Sequence, residues 1–314
     1  MEQPIGATHV GVAMPPGVKT NERGHITVCV CTYKRPELLL RLLAVLTTQE
    51  TGGRFTYSVV VADSDHLESA RAVVADCAAA APIAIRYCVE PRRNIALARN
   101  KAVEHASGDF VALIDDDEEP ASDWLIRLLT ALELYGADGV LGPVIPRFST
   151  PPPDWIVRGR IHERPSLPTG TWLRWKQTRT ANVLVRRGIF DEQGNRFRVE
   201  YGRGGEDLDF FRRTMAMGRR FVWCAEAGVY EVVPAERCRR AYLLKAALLR
   251  GRAPYNQEPW PVLTSLFAIP TYAVALPVLL AFGQHVFMRY LIKECDHLGR
   301  IVALLSGQRG TGRV

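Results

Sequence analysis

The sequence predicts an α/β fold: a mostly parallel sheet with helices on both faces, followed by an apolar and amphipathic helical tail. Strand-like and helix-like segments alternate over residues 26–144, one apolar run (110–115) ends in the five consecutive acids Asp115, Asp116, Asp117, Glu118 and Glu119, and no Asp, Glu, Lys or Arg occurs over 259–288. Short apolar strands separated by helices belong to parallel sheets buried on both faces. Strands are expected at 26–32, 58–63, 84–88, 110–115 and 139–144, with helices at 36–49, 67–80, 94–106 and 122–135. In the first helix Leu38, Leu39, Leu42, Leu43 and Leu46 recur at helical spacing, and Pro36 suits a first turn. Residues 146–170 hold Pro146, Pro151, Pro152, Pro153, Pro165 and Pro168 around Trp155. They read as an irregular loop, long enough to act as a lid or binding element. Order resumes with a strand at 180–185, a Gly-rich turn at 201–205, a helix at 206–217, a strand pair at 221–223 and 229–232, and a basic helix at 238–250.

The 314 residues are 47% apolar and 23% charged, with a net charge of +7 that favours anionic partners such as nucleotides or phospholipid headgroups. Seven cysteines without a C-x-x-C pair point to reduced thiols and against a disulfide frame or zinc site. Residues 1–24 lack a basic stretch followed by an apolar one, so they are expected to be a loose tail and not a signal peptide. The uncharged stretch 262–283 is long enough to cross a bilayer core of roughly 30 Å, although Pro270 and Pro277 weaken a straight spanning helix. After it, Arg289, Lys293, His297 and Arg300 recur at helical spacing beside Leu291, Leu298, Ile301 and Leu305, as in a basic helix lying on a membrane surface. The other reading is a helical hairpin packed on the globular domain or on a dimer partner. Shallow membrane contact is the expectation.

Five clusters carry chemistry, four of them at the C-terminal ends of predicted strands, where open α/β sheets bind ligands. Asp115, Asp116 and Asp117 repel one another unless a cation or solvent screens them, and their hard oxygens suit Mg²⁺ or Mn²⁺. A solvated acidic turn before a helix is the alternative. Asp115 and Asp117 alternate along an extended chain and are assigned as the pair nearest ribose and metal, with Asp116 pointing elsewhere. Thr32-Tyr33-Lys34-Arg35 offers a stacking ring and a fixed cationic fork, or simply a strand-to-helix turn. Asp63 in Ala62-Asp63-Ser64-Asp65 can accept from the imide of a pyrimidine or cap the next helix. Arg92, Arg93, Asn94, Arg99 and Asn100 open a helix whose positive end favours anions. Gly204-Gly205-Glu206-Asp207 combines a close-approach backbone with acids at a helix start, fit for proton abstraction or for capping.

In order, the stretches VCVCTYKRPELL, VVVADSD, RRNIALARN, GDFVALIDDDEE, TANVLVRR and GRGGEDLDFFRR resemble the family 2 inverting glycosyltransferases over about residues 26–245. The finer texture (IDDDE, VLGPV, GGEDLDFF) is similar to bacterial exopolysaccharide glucosyltransferases of the succinoglycan-synthesis type. The resemblance implies an A-type, Rossmann-like nucleotide-sugar transferase domain over 25–250, and the composition of 251–314 adds a membrane-associating helical segment. It places Thr32, Tyr33, Arg35 and Asp63 around the nucleotide base with Arg99 nearby. It makes Asp115 and Asp117 the metal and donor carboxylates, with Asp116 counted among the donor-binding acids. Asp207 becomes the general base, Glu206 the second candidate, and Asn182 a small polar residue facing donor sugar or acceptor. Many relatives supply a metal-binding histidine near Tyr230 and Glu231; here none stands there, so the third ligand is Glu231, water or absent. The Gln-x-x-Arg-Trp element of processive synthases is missing. Arg237 or Arg240 is left to neutralise the leaving diphosphate, and one sugar is transferred per acceptor.

The implied reaction is a single displacement from a nucleotide diphosphate sugar, UDP-glucose foremost, onto a polyprenyl-diphosphate-linked saccharide at the cytoplasmic face of the inner membrane, with Mg²⁺ or Mn²⁺. A sugar-nucleotide nucleotidyltransferase would carry a Gly-rich phosphate loop after the first strand, and VCVCTYKRP has no glycine. A non-catalytic membrane adaptor or nucleic-acid binder rests only on the charge and the tail. Acids at strand ends repel a phosphate backbone, so nucleic acid is not an expected partner.

Overall fold

The computed structural model describes residues 24–202, 204–253 and 259–306; residues 1–23 of the expected tail lie outside them, and Gly24 already belongs to the first strand. Strands β1 (Gly24–Thr32), β2 (Phe55–Asp63), β3 (Ile85–Val89) and β4 (Phe110–Asp115) pair in parallel. Helices α1 (Pro36–Leu46), α2 (Arg71–Ala80) and α3 (Ile95–Glu104) connect them. There follow β5 (Glu118–Pro120), α4 (Trp124–Leu134), β6 (Gly139–Leu141), β7 (Val144–Phe148), α5 (Asp154–Gly159), β8 (Val183–Arg186), α6 (Gly188–Asp191), α7 (Glu206–Ala216), β9 (Phe221–Trp223) and β10 (Val229–Val233). The main sheet has the order β3-β2-β1-β4-β8-β6-β9, in which only β8 runs against its neighbours.

Strand alternation gives each face of this sheet its own core. Ile26, Val28 and Val30 of β1 pack with Leu39, Leu42 and Leu43 of α1 and with Trp124 of α4. Cys29, Val111 and Leu113 face Ala98 and Ala102 of α3 and the Phe210–Phe211 pair of α7. Successive strands are added on one side of β1 as far as β3 and then on its other side with β4, which is parallel to β1, so the C-terminal ends of β1 and β4 lie side by side with Cys31 opposite Asp115. Such a switch point leaves a crevice that no crossover covers.

Two expectations are corrected. The single strand expected at 139–144 is split, because Gly142 is wedged where a Cβ would lie 2.1 Å from the Ala227 carbonyl and Pro143 has no N–H for the ladder. Beyond it β7 leaves the main sheet and joins β10 and β5 in a three-stranded sheet. The segments 221–223 and 229–232 are therefore not a pair: β9 edges the main sheet and β10 is central in the small one. The proline-rich stretch also contains the end of β7 and α5.

The tail is a hairpin of α9 (Pro259–Ala281) and α10 (Gln284–Leu305), with α10 seated on α8 (Arg240–Gly251) and α5. Met288, Cys295, Gly299 and Ala303 of α10 are buried there, while Leu298 and Leu305 of the expected apolar set stay exposed together with Arg289 and Lys293. Most of the apolar surface left open on the hairpin belongs to α9. Val262–Ala281 is long and apolar enough to cross a membrane, and only 6% of its most apolar window is buried. Helices α8 and α10 touch backbone to backbone: a Cβ on Gly299 would stand 2.3 Å from the Leu248 carbonyl oxygen. Gly299→Val is expected to force them apart, costing about 2 kcal/mol and several degrees of thermal midpoint in calorimetry; an unchanged midpoint would contradict this packing.

Candidate active site

At the switch point lies a cavity of about 840 Å³. The end of β1 and the loop after it contribute Thr32, Tyr33 and Arg35, the tip of β4 contributes Asp115, Asp116 and Asp117, and β10 with its following turn contributes Glu231 and Arg237. The N-terminal end of α3 forms another wall through Asn94, Ile95 and Arg99. Asn94 caps that helix, its Oδ1 accepting from the N–H groups of Ala96 and Leu97 at 3.0 and 3.2 Å. The position suits an anion, since the first-turn N–H groups and the helix dipole both favour negative charge.

Inside the cavity carboxylates and guanidinium groups interleave. Asp116 accepts from Thr32 Oγ1 at 2.8 Å and from Arg35 Nη1 at 3.1 Å. Asp117 Oδ2 accepts from Arg35 at 3.3 Å and from Arg237 Nη2 at 2.9 Å. Arg237 Nη1 also donates to Glu231 at 3.0 Å, and Glu231 accepts on its other oxygen from Arg164 at 2.6 Å. Each carboxylate thus holds a guanidinium in place, and an incoming diphosphate can take over part of that hydrogen bonding. Tyr33 lies under the Arg93 guanidinium, 4.9 Å from the ring centroid.

The Gly-Gly-Glu-Asp turn is tied to this cavity through Arg99, which lines it. Gly204 and Gly205 have φ of +130° and +94°, a region costly for residues with a Cβ, and they swing the chain into α7. Buried Glu206 then forms an ion pair with Arg99, whose Nη2 is 3.4 Å from Asp115 Oδ1. One buried guanidinium therefore joins the strand-tip acids to the helix-start acids. Burial alone would make Arg99 easier to deprotonate, but Glu206 and Asp115 outweigh it and hold the charge. Asp207, next along, is half-buried, and among the described residues it makes no ion pair.

Burial raises the pKa of Glu118, Glu206 and Glu231, with Arg99 pulling Glu206 back and Arg164 pulling Glu231 back. Asp116 is pushed from 3.8 to about 6 by burial, against the pull of Arg35 and Thr32. A carboxyl whose folded pKa is raised binds its proton more tightly folded than unfolded, so its contribution to stability falls as pH climbs from about 4 to about 6. In buffer with chelator, Asp116→Asn is expected to gain on the parent protein by about 2 kcal/mol across that window. Urea midpoints measured at both ends read this out, and an unchanged difference between the proteins would contradict it.

Among the described residues no three His, Cys, Asp or Glu side chains are grouped to hold a metal by themselves. The chemistry of the acids still fits one, because Mg²⁺ and similar ions are usually held by one or two carboxylates plus substrate phosphates. Asp115 and Asp117, both lining the cavity, are the carboxylates that would supply the hard oxygens.

Residues 27–220 match the model of the family described as "Glycosyl transferase family 2", more than half of the chain. The chain belongs to that family. It is 39% identical over 235 residues to the succinoglycan biosynthesis protein ExoM of Rhizobium meliloti (strain 1021), covering 74% of each chain. A glucosyl-dolichyl phosphate glucuronosyltransferase of Haloferax volcanii is 31% identical over 138 residues, 42% of this chain and 40% of that one. Among solved structures, the mannosyltransferase PcManGT of Pyrobaculum calidifontis, in complex with GDP-Man and Mn²⁺, superposes with a TM-score of 0.62 at 21% identity, over 91% of this chain and 87% of that one. TarS 1–349 of S. aureus in complex with UDP gives 0.53 at 15% identity, covering 91% and 92%. At these identities the two structures show that the chain shares their fold.

The glycosyltransferase departs from its sequence-based site in four places. Asn182 does not face the cavity: it is wholly buried, its Oδ1 accepting from Trp124 Nε1 and its Nδ2 donating to the carbonyls of Pro143 and Ala227. Asp63 is also closed off, accepting from the N–H groups of Asp65 and Ala70 and from the Tyr87 hydroxyl; it shapes the loop after β2, and Ser64 lines the cavity instead. Arg240 lies in a different cavity from the acids, whereas Arg237 meets them directly. Asp116 does not point away, because β4 ends at Asp115 and the chain turns, bringing all three aspartates to one cavity. Arg164 was not legible: it comes from the proline-rich loop, where no periodicity or motif marks it.

Proposed function

We propose that this transferase moves a single glucose, with inversion, from UDP-glucose to a hydroxyl of a polyprenyl-diphosphate-linked saccharide in exopolysaccharide synthesis, at the cytoplasmic face of the inner membrane. The observation that carries the reading is the Arg99 bridge from Asp115 to Glu206, which ties the acid-and-arginine cavity to the turn that carries Asp207. The printed functions and ligands of the relatives, succinoglycan biosynthesis, UDP and GDP-Man with Mn²⁺, support the donor class.

In this reading Thr32, Tyr33 and Arg35 border the nucleotide, and Arg237 donates to the diphosphate. Asp207 accepts the proton of the acceptor hydroxyl as its oxygen bonds to the anomeric carbon and the bond to the diphosphate breaks on the opposite face. Glu206, held by Arg99, positions α7 and is not the proton acceptor. A divalent ion on Asp117 and Asp115, when bound, neutralises charge on the leaving diphosphate. Exposed α9 supports membrane association.

Release of UDP from UDP-glucose on addition of a lipid-linked acceptor fraction tests the proposal, with GDP-mannose and UDP-glucuronate as alternative donors. Turnover with another donor and none with UDP-glucose would overturn the donor assignment. Asp117→Ala should lose the metal-dependent part of UDP binding in calorimetry.

A further inference from the structure

A second cavity, of about 490 Å³, adjoins the first. One side is apolar and stiff, made by the prolines of 151–153 and by Trp155; the other carries Arg239 and Arg240. The two cavities share a wall. The short turn Ala235–Cys238 sends Arg237 into the donor cavity and lends Ala235 and Cys238 to the second.

Both arginines are exposed, and among the described residues neither meets a carboxylate. Arg240 stands against the Gln284 side chain, whose amide oxygen accepts from it. Gln284 opens α10, two residues after Phe282, which is 68% exposed just past the end of apolar α9. The cavity therefore has uncompensated positive charge, a rigid apolar wall, and a neighbouring helix with the length and composition to enter a bilayer.

A simple anion needs no proline and indole wall, and an apolar ligand alone leaves two guanidinium groups unused. An amphipathic anion whose hydrocarbon continues into a membrane matches all three features. We infer that this cavity seats the diphosphate and first isoprene units of the acceptor lipid, Arg239 and Arg240 holding the phosphates while the saccharide reaches over the Ala235–Cys238 turn toward Asp207. The inference rests on the lipid-linked acceptor proposed above.

Farnesyl diphosphate is the probe, titrated calorimetrically into the full chain saturated with UDP and Mn²⁺ so that the donor cavity is filled. It is expected to bind without displacing UDP, and the double variant Arg239→Ala, Arg240→Ala should weaken it by about tenfold or more with UDP affinity unchanged. Inorganic pyrophosphate and farnesol should each bind more weakly than the intact probe. Displacement of UDP, pyrophosphate binding as tight as farnesyl diphosphate, or indifference to the double variant would overturn the assignment. Turnover separates this inference from the reading beneath it. If a lipid-free saccharide serves as well as the lipid-linked one, the acceptor reading falls and this site with it. If the lipid-linked acceptor is preferred but the double variant leaves its KM unchanged, only this site falls.

Discussion

Asp207→Asn is expected to lower the transfer rate by about 10²- to 10⁴-fold, the usual share of a positioned general base, while UDP-glucose still binds. Asparagine keeps the shape and the hydrogen bond that Asp207 Oδ1 accepts from the Leu208 N–H, at 2.8 Å, only if its carbonyl takes that place, and it cannot receive a proton. Glu206→Gln is the contrasting variant. Glu206 is buried and tied to Arg99, so its loss should appear first in stability and only secondarily in rate. UDP release and calorimetric binding on the two purified variants separate the roles; comparable turnover by Asp207→Asn would refute the base assignment.

Arg99→Ala is expected to cost about 3–5 kcal/mol of stability and to remove transfer, because it leaves Glu206 buried without its counter-charge and frees Asp115 from the helix-start turn. The side chain of Arg99 is 9% exposed, so water cannot make good the loss. Combining Arg99→Met with Glu206→Gln removes both buried charges and should recover much of the stability without recovering activity. Urea unfolding of the single and double variants checks this. A loss below about 1 kcal/mol for Arg99→Ala would mean that the bridge does not hold the site together.

Much of this was legible in the sequence for a physical reason. Parallel strands buried on both faces must be apolar runs, so β1 to β4 announce themselves, and the acids after Ile114 could only fall at a strand tip. The positive-φ glycines before Glu206 likewise have few other uses. What escaped depends on contacts between distant segments. Asn182 looks like any polar residue after a loop until Trp124, Pro143 and Ala227 are seen around it. Asp63 at a strand end leaves base recognition and capping equally open, and the resemblance alone puts it at the base; the N–H groups of the following loop fold back onto it instead. Periodicity showed that α10 is amphipathic, but not that α8 and α5 cover it. Pro143, which has no N–H for a ladder, is a local signal against a continuous strand at 139–144.

The central claim is that the strand-tip aspartates and the Gly-Gly-Glu-Asp turn form one donor site. Crystals grown with UDP and Mn²⁺, with the metal located by its anomalous scattering, test it most directly. One manganese peak is expected on the carboxylates of Asp115 and Asp117, with the UDP diphosphate beside Arg237 and open space between that metal and Asp207 for a hexose. A peak elsewhere, or UDP bound with Asp207 on the far side of the protein from it, would contradict the account.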